Sequence, residues 1–302
     1  MAEGTVHSSG AIETFTASDG YCWRYRHYRP TGHPRARVVC IHGIQTHGGW
    51  YTRSCARLSQ AGFDVSFVDR RGSGLNEQER GDAPSFRRLL DDLAEFLGPV
   101  RRKQTRSSQP TAHCPLPTFL IAISWGGKLA VALQRRHPGL VAGLALVCPG
   151  FFSRVRPSLK HRLAIAWSRL VAPRRRFPIP LNDPGLFTAT PRWQQFIRDD
   201  PLSLRQGTAR LLLESVRLDS YIRFVPKYVT APVLLLLAER DRIIDNAATR
   251  RYVESFASSD KQIIEYAGAH HTLEFEPEPD RYSDDLVAWI NQHLSGAADE
   301  RG

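Results

Sequence analysis

Apolar and polar positions follow two different periodicities along the chain. Short runs of apolar, often β-branched residues alternate with longer stretches of helical period through the first half of the sequence. This alternation is typical of βαβ units and predicts a mostly parallel sheet with helices on its faces. Thr14 to Thr16 and Tyr21 to Tyr28, around the turn signal Asp19-Gly20, predict an opening antiparallel hairpin. The predicted buried strands are Val38 to Ile41, Phe63 to Val68, Phe119 to Ile123, Val141 to Val147, Val233 to Leu237 and Gln262 to Tyr266.

The strand pattern is interrupted in the second half of the chain. Between Pro149 and Ala231 the strand signals vanish, and amphipathic stretches broken by proline take over. This change predicts a helical insertion into an α/β sheet. We therefore expect a core of residues 1–150 and 230–302, with a helical cap at residues 151–229 inserted after the sixth of eight strands. Lys103 to Pro117, rich in Ser, Thr, Pro and basic residues, is expected to form a solvated loop.

The composition is that of a soluble globular protein. The 302 residues are 42% hydrophobic and 24% charged, which excludes disorder for the bulk of the chain. The longest apolar runs are far shorter than the ~18 to 20 residues that span a bilayer. The first fifteen residues are acidic and polar, unlike a secretory signal, so we expect a cytoplasmic protein. The five cysteines have no C-x-x-C spacing and are expected to be buried thiols.

The charge is unevenly distributed. The formal net charge is +11, and Phe151 to Phe177 holds seven arginines and one lysine with no acid, while Arg101 to Arg106 adds four bases. Such an excess raises nucleic acid or an anionic membrane as partners. A nucleic-acid binder would show aromatic residues among the bases and a recognisable motif, and neither is present. We expect no nucleic acid, and peripheral contact with the inner membrane surface through Arg174, Arg175 and Arg176 stays open.

The run Phe119 to Ala130, FLIAISWGGKLA, places a serine between a β-rich stretch and a helical pattern. A serine in such a turn projects its hydroxyl above the sheet, and the turn needs small residues two positions before it and two after it. Ala122 and Gly126 meet this need, although glycine is the usual residue at the first position. Ser124 is therefore the candidate nucleophile, with an ordinary strand-to-helix turn as the alternative.

A serine hydroxyl needs a base to take its proton and an acid to orient that base. Asp241 follows an eight-residue apolar strand, and His271 lies on a loop after the next strand. Both follow the carboxyl ends of strands, where the active sites of open sheets form. The competing acids are Glu239 and Asp245, and the competing base is His270.

A further loop follows the buried strand that ends at Ile41. Acyl transfer develops a negatively charged oxygen that needs two preorganised N–H donors. The backbone N–H groups of Ile44 and Trp125 are the candidates for this oxyanion hole. His42 and His47 share the loop, but no helix carries the pair and no third ligand is evident, so we expect no metal site.

Together these segments resemble the α/β-hydrolase superfamily, and more narrowly its monoacylglycerol lipase and lysophospholipase branch, also called serine aminopeptidase S33-like. The resemblance rests on His42-Gly43, Val68 to Asn76 (VDRRGSGLN), Ser124 to Gly127, Asp241 and Gly268 to Glu276 (GAHHTLEFE). It covers the chain from about Thr14 to Leu294. The family's Gly-Ala-x-His pattern carries the catalytic histidine at its fourth position, which implies His271 and not His270. Asn76 stands where serine is commoner in the family.

The resemblance implies a mostly parallel, eight-stranded α/β-hydrolase fold and cleavage of carboxylic esters through an acyl-enzyme. Ser124 would attack the ester carbonyl, His271 would act as base and then acid, and Asp241 would orient the imidazole. The substrate would be a lipid or small-molecule ester, and no cofactor would be needed. A thioesterase or an aminopeptidase with the same triad stays an alternative, as does a non-catalytic basic protein at a membrane.

The cap contains a cationic, amphipathic stretch from Pro157 to Val171. At 100° per residue its large apolar side chains share one face, which comprises Leu159, Leu163, Trp167 and Leu170. We expect this face to pack on the core as the roof of an acyl pocket. Insertion at a membrane surface is the alternative, and Ile165 argues against it because it interrupts the polar face.

Overall fold

The computed structural model describes residues 10–98 and 116–299. The predicted loop from Lys103 to Pro117 therefore lies almost wholly outside the described residues, as do Arg101 to Arg106 and Cys114. The described chain forms ten strands: β1 (Ala11–Thr16), β2 (Cys22–Tyr28), β3 (Ala36–Ile41), β4 (Phe63–Val68), β5 (Thr118–Ile123), β6 (Gly143–Val147), β7 (Arg176–Pro178), β8 (Gln206–Thr208), β9 (Val233–Ala238) and β10 (Lys261–Tyr266).

Eight α-helices lie in the same described ranges. They are α1 (Thr52–Gln60), α2 (Phe86–Leu97), α3 (Gly126–Arg136), α4 (Leu159–Val171), α5 (Pro191–Asp199), α6 (Ala209–Ile222), α7 (Asn246–Glu254) and α8 (Pro279–Asp299). Helices α1 and α8 pack against each other, and α3 packs against both α2 and α6. No helix of the described chain is both long enough and apolar enough to cross a membrane.

Eight of the strands form one sheet in the order β1-β2-β4-β3-β5-β6-β9-β10. Strand β2 is antiparallel to both of its neighbours, and the other pairings are parallel. The predicted strands and hairpin are confirmed, with an eight-stranded, mostly parallel sheet. Because Ile41 pairs with Ala122, the loop after β3 and the turn after β5 emerge side by side at the carboxyl edge. This edge is where the candidate residues lie.

Close packing of α8 on the sheet explains one glycine. The Trp289 ring meets the Phe119 ring edge-on with centroids 5.7 Å apart. A Cβ on Gly143 at the start of β6 would lie 2.6 Å from Trp289 and 2.8 Å from Phe119. Real side chains do not approach this closely, so the contact between helix and sheet at this point requires glycine.

The segment between β6 and β9 is mostly helical, and it differs from the prediction in one respect. Strands β7 and β8 pair as a short antiparallel ribbon, so strand structure is present in residues 151–229. Each strand has three residues, and Pro178 and Gly207 remove the apolar alternation by which strands are recognised. The division into a core and a cap at residues 151–229 stays a prediction.

The predicted orientation of α4 is wrong. Its apolar stripe, Leu159, Leu163, Trp167 and Leu170 together with Val171, is 60–78% exposed, whereas Ile165 and Ser168 are buried. The helix packs against α6 through its narrower face, where Ile165 joins Phe177 and Ala209 in a small apolar cluster. The stripe therefore forms no roof over a pocket. The cysteine prediction also fails at Cys22, which is exposed.

Candidate active site

The turn after β5 holds Ser124 in a strained backbone conformation. Its φ is +52°, a left-handed value that non-glycine residues adopt rarely and mostly where surrounding contacts impose it. Here the Ser124 N–H donates to the Val147 carbonyl at 2.9 Å, and the Ser124 carbonyl accepts from Gly150 N–H at 2.7 Å. A Cβ on Gly126 would lie 2.8 Å from the His42 carbonyl, while Ala122 is fully buried. Alanine therefore fits the first small position, and glycine is required at the second.

Ser124, His271 and Asp241 form a continuous chain of hydrogen bonds. The His271 Nε2 atom lies 2.9 Å from Ser124 Oγ, and His271 Nδ1 lies 2.6 Å from Asp241 Oδ2. The other Asp241 oxygen accepts the N–H groups of Ile243 at 2.8 Å and Ile244 at 3.0 Å. Both carboxylate oxygens are thus fixed, so the imidazole is held with one nitrogen toward the serine hydroxyl.

The competing residues have other partners. Glu239 accepts the Gly268 N–H at 2.6 Å, and Asp245 caps α7 by accepting the Ala248 N–H. His270 lies 3.2 Å from Glu276 through its Nδ1 atom. Each of these contacts shapes a loop of the site, and the structure brings Asp241 and His271, not their competitors, to Ser124.

The two candidate oxyanion donors lie beside Ser124. A Cβ on Gly43 would be 3.1 Å from the Ser124 Cβ, so the loop that carries Ile44 passes directly over the serine. Among the described residues, the backbone N–H groups of Ile44 and Trp125 have no acceptor, while the Gly43 N–H donates to Thr46 Oγ1 at 3.1 Å. Ser124 and Ile44 are partly exposed, so a small reactant has access to this part of the site.

His42 supports this loop as a neutral side chain. Burial and the nearby Arg70 charge lower the pKa of His42 to about 3. Its Nε2 atom accepts the Arg70 N–H at 3.0 Å, which leaves the proton on Nδ1 to donate to the Gly43 carbonyl at 2.7 Å. His47, the other histidine weighed as a metal ligand, contacts Asp200 at 2.9 Å. Both rings are therefore engaged in holding the loop.

One group of described residues has the composition of a metal site. Ligand atoms of Cys148, Asp241 and His271 all lie within 4.8 Å of one another. Burial and the Asp241 charge raise the pKa of the Cys148 thiol well above its usual range, whereas a metal prefers the thiolate. Asp241 and His271 are also already bonded to each other, so the donor set fits proton relay better than metal binding.

The segment after β4 stabilises the loops around the site through hydrogen bonds. Asp69 accepts the N–H groups of Gly48 at 2.7 Å and Leu75 at 2.9 Å. The Asn76 side chain donates to the Asp69 carbonyl at 2.6 Å and accepts the Arg24 N–H at 2.8 Å. Asparagine in place of serine at this position therefore makes contacts on both sides and preserves the loop.

The sequence did not indicate Phe187, the aromatic residue that lies beside His271. The Phe187 ring meets the His271 ring edge-on with centroids 6.0 Å apart, and the Phe187 carbonyl accepts the Thr272 N–H at 2.9 Å. Phe187 comes from the segment between β6 and β9 and is buried. No motif marks it, because its role depends on how this segment folds over the sheet.

A family model described as serine aminopeptidase, S33, matches residues 32–278 of the chain. The chain belongs to this family. The monoacylglycerol lipase of Mycolicibacterium smegmatis is 29% identical over 295 residues, which cover 96% of this chain and 100% of that protein. The lysophospholipase L2 of Escherichia coli is 27% identical over 317 residues, which cover 93% of this chain and 87% of that protein.

A solved structure extends the comparison to the fold. A soluble variant of the monoglyceride lipase from Saccharomyces cerevisiae, in complex with a substrate analogue, superposes with a TM-score of 0.76 at 21% identity and covers 96% of this chain and 97% of that chain. The S33 member described here thus has the α/β-hydrolase fold that its sequence predicts.

Proposed function

We propose that this protein hydrolyses carboxylic esters of monoacyl lipids, with Ser124 as nucleophile, His271 as general base and acid, and Asp241 as the residue that orients His271. The observation that carries the proposal is the hydrogen-bond chain from Ser124 through His271 to Asp241, in the geometry required for serine activation. The names of the relatives, monoacylglycerol lipase and lysophospholipase, support a lipid ester as substrate.

The reaction follows from the contacts of each group. His271 Nε2 takes the Ser124 proton as Oγ attacks the ester carbonyl carbon, and Asp241 stabilises the imidazolium that forms. The free N–H groups of Ile44 and Trp125 receive the oxyanion of the tetrahedral intermediate. His271 then gives its proton to the departing alcohol, and a water activated by the same imidazole hydrolyses the acyl-enzyme.

The surrounding carboxylates favour an ester over a peptide with a free N-terminus. An aminopeptidase must bind an ammonium group near its nucleophile, usually with an unpaired carboxylate. Within the described residues, Glu276 pairs with His270 and Asp200 pairs with His47. Each of these acids already has a histidine partner, which argues against either one as the ammonium-binding group of an aminopeptidase.

A fluorophosphonate probe tests the nucleophile, because only an activated serine reacts readily with this reagent. Wild-type protein is expected to be labelled, and Ser124→Ala is expected to be silent. Ser220→Ala, which changes an exposed serine on α6, is the matched control and should label as wild type does. Persistent labelling of Ser124→Ala, or folded wild-type protein that never labels, would show the proposed function to be wrong.

We also propose that residues 151–229 act as a cap whose α4 face rests on an anionic membrane surface. The exposed stripe of α4 adjoins bases and no acid from Phe151 to Phe177, which complements anionic lipid. Arg174 and Arg176 contribute less than their charge indicates, because Arg174 pairs with Glu79 at 3.1 Å and Arg176 donates to the Arg80 carbonyl. Binding to vesicles that contain phosphatidylserine tests this contact.

A further inference from the structure

The Trp125 side chain is held by a residue of the segment between β6 and β9. Its indole Nε1 donates to Ser215 Oγ at 2.8 Å, and Ser215 lies on α6. The Arg70 guanidinium lies over the face of the same ring, 5.1 Å from its centroid, a separation typical of a cation–π contact. Trp125 is 5% exposed, so its ring is buried and is fixed both at its edge and on one face.

The backbone of Trp125 carries one of the two candidate oxyanion donors. This N–H belongs to the peptide bond that joins Ser124 to Trp125, and its direction depends on how that peptide plane is held. The Ser124 carbonyl, on the other side of the plane, accepts the N–H groups of Gly127 at 2.9 Å and Gly150 at 2.7 Å. These hydrogen bonds act on the carbonyl end of the plane. The Trp125 side chain adds a contact that acts on the Cα at its nitrogen end.

The turn at Ser124 depends on contacts with distant parts of the chain. Ser124 has a φ of +52°, and such a conformation persists only where the surrounding structure imposes it. Trp125 has helical backbone angles and precedes α3 without a side-chain hydrogen bond to that helix. Its side chain instead bonds to Ser215, 90 positions along the chain. This hydrogen bond therefore ties the nucleophile's turn to α6.

Helix α6 is a firmly anchored support for Ser215. The preceding residue, Glu214, accepts the Phe86 N–H at the start of α2 at 3.0 Å. One helical turn after Ser215, Asp219 pairs with Lys128 of α3 at 2.5 Å. Ser215 therefore lies between contacts that fix α6 to two other helices. Side chains on such fixed elements hold a site more precisely than side chains on loops.

A purely structural role is the alternative, in which the hydrogen bond only satisfies a buried indole N–H. Trp23 and Trp289 are buried as well, and within the described residues their Nε1 atoms have no partner. The Nε1 atoms of Trp50 and Trp125, which belong to the loop after β3 and the turn after β5, do have partners. Indole pairing in the described chain thus follows closeness to the site, which favours a role in the reaction.

We propose that Ser215 is a positioning residue for the hydrolysis: its hydroxyl holds the Trp125 indole so that the Trp125 backbone N–H points at the oxyanion. Such donors act when they are preorganised at the place where the charge develops. A small rotation of the peptide between Ser124 and Trp125 therefore slows the reaction without weakening substrate binding. This inference rests on the ester hydrolysis proposed at Ser124, and it assigns part of that activity to α6.

Steady-state kinetics on p-nitrophenyl butyrate test this role, since a short soluble ester needs no membrane contact. Ser215→Ala should lower kcat roughly three- to ten-fold with KM nearly unchanged, a fraction of the ~10²–10³ that follows outright loss of a donor. Ser215→Thr retains the hydroxyl and should keep most of the wild-type kcat. Ser220→Ala is the matched control and should equal wild type, because the Ser220 hydroxyl donates to the Val216 carbonyl within the same helix.

A double-mutant cycle separates positioning from a general effect on the fold. Trp125→Phe removes the indole N–H and keeps both the backbone N–H and an aromatic ring. If both residues act through one hydrogen bond, Ser215→Ala should lower kcat little further in the Trp125→Phe background. A hexyl trifluoromethyl ketone gives a second readout, because addition of Ser124 Oγ to its carbonyl carbon forms an adduct with a negatively charged oxygen. Its affinity should fall in Ser215→Ala by the same factor as kcat/KM.

Three results would overturn the positioning role of Ser215. They are a wild-type kcat in Ser215→Ala, with or without a lower melting temperature, equal losses from Ser215→Ala in the wild-type and Trp125→Phe backgrounds, and an unchanged affinity for the trifluoromethyl ketone. Failure of the ester hydrolysis itself appears separately, as wild-type protein that no fluorophosphonate labels.

Discussion

The exposed face of α4 supports a quantitative prediction about membrane binding. Leu163 is 64% exposed and Leu170 is 78% exposed, so most of each side chain is free to enter the headgroup and acyl boundary. Full burial of a leucine stabilises by about 1.5–3 kcal/mol, which leaves roughly 1–2 kcal/mol for each of these residues. Since interfacial insertion is shallow, the lower half of that range applies. Leu163→Gln with Leu170→Gln should weaken binding by about 2 kcal/mol, or roughly 30-fold.

The arginine residues give the comparison that distinguishes insertion from simple charge attraction. Three free arginines near an anionic surface would contribute about 1 kcal/mol each at low salt, but Arg174 and Arg176 are engaged with the loop at residues 79–82. Replacing Arg174, Arg175 and Arg176 with glutamine should therefore cost less than the double leucine variant. At 0.5 M salt, where the screening length is about 4 Å, the effect of the leucines should persist and that of the arginines should fade.

Co-sedimentation with mixed phosphatidylcholine and phosphatidylserine vesicles is the assay. Ile12→Gln is the matched control for Leu163→Gln, because Ile12 is 59% exposed on the edge strand β1. Membrane insertion of the α4 stripe is refuted if wild-type protein does not bind these vesicles at low salt. It is equally refuted if Leu163→Gln and Ile12→Gln bind with the same affinity, because the stripe would then be an ordinary exposed surface.

Two further predictions concern the two neighbouring histidines and the stability of the fold at low pH. His271→Ala should lose at least ~10³ in kcat on a short soluble ester. His270→Ala should lose much less, since His270 contacts Glu276. If both variants fold and His270→Ala loses more activity than His271→Ala, the general base is His270. Burial alone would raise the pKa of Asp200, but hydrogen bonds, chiefly from His47, hold it well below its usual range. The ionised form thus stabilises the fold above the unfolded-state pKa of about 4, and this stabilisation is lost as the pH falls through the folded-state value. Chemical denaturation at several pH values should show Asp200→Asn less stable than wild type at pH 7, with the difference shrinking below about pH 4; a constant difference would contradict the linkage.

The sequence predicts the sheet and the triad geometry because both are set by local constraints. Strands such as β5 and β9 are buried on both faces, so they appear as continuous apolar runs. The positive φ of Ser124 requires small neighbours, and these are visible as Ala122 and Gly126. Asp241 and His271 follow the carboxyl ends of the parallel neighbours β9 and β10, so the topology of the sheet brings the acid and the base together. Each of these features can be recognised from a few neighbouring residues in the sequence.

The orientation of α4 could not be predicted in the same way. A helical wheel assigns the most apolar face to the interior, but in α4 that face is exposed and a less apolar face is buried. The face that packs on α6 is built from Ile165 and Ser168, whose modest size permits close approach. Ile165 therefore lies on the packed face, although in the sequence it appears only as a single apolar residue within an otherwise polar face.

The different environments of two neighbouring arginines could not be predicted either. Nothing in the sequence distinguishes Arg70 from Arg71, which are adjacent and chemically identical. In the folded protein Arg71 forms ion pairs with Asp19 and Asp92. Arg70 forms no direct ion pair within the described residues and lies against the Ile44 carbonyl and the Trp125 ring. Catalytic residues can be found from sequence because the reaction specifies their types and order. The ion pairs of neighbouring arginines depend on which side chains the fold brings together, and that is decided only when the loops after β3 and β4 pack against each other.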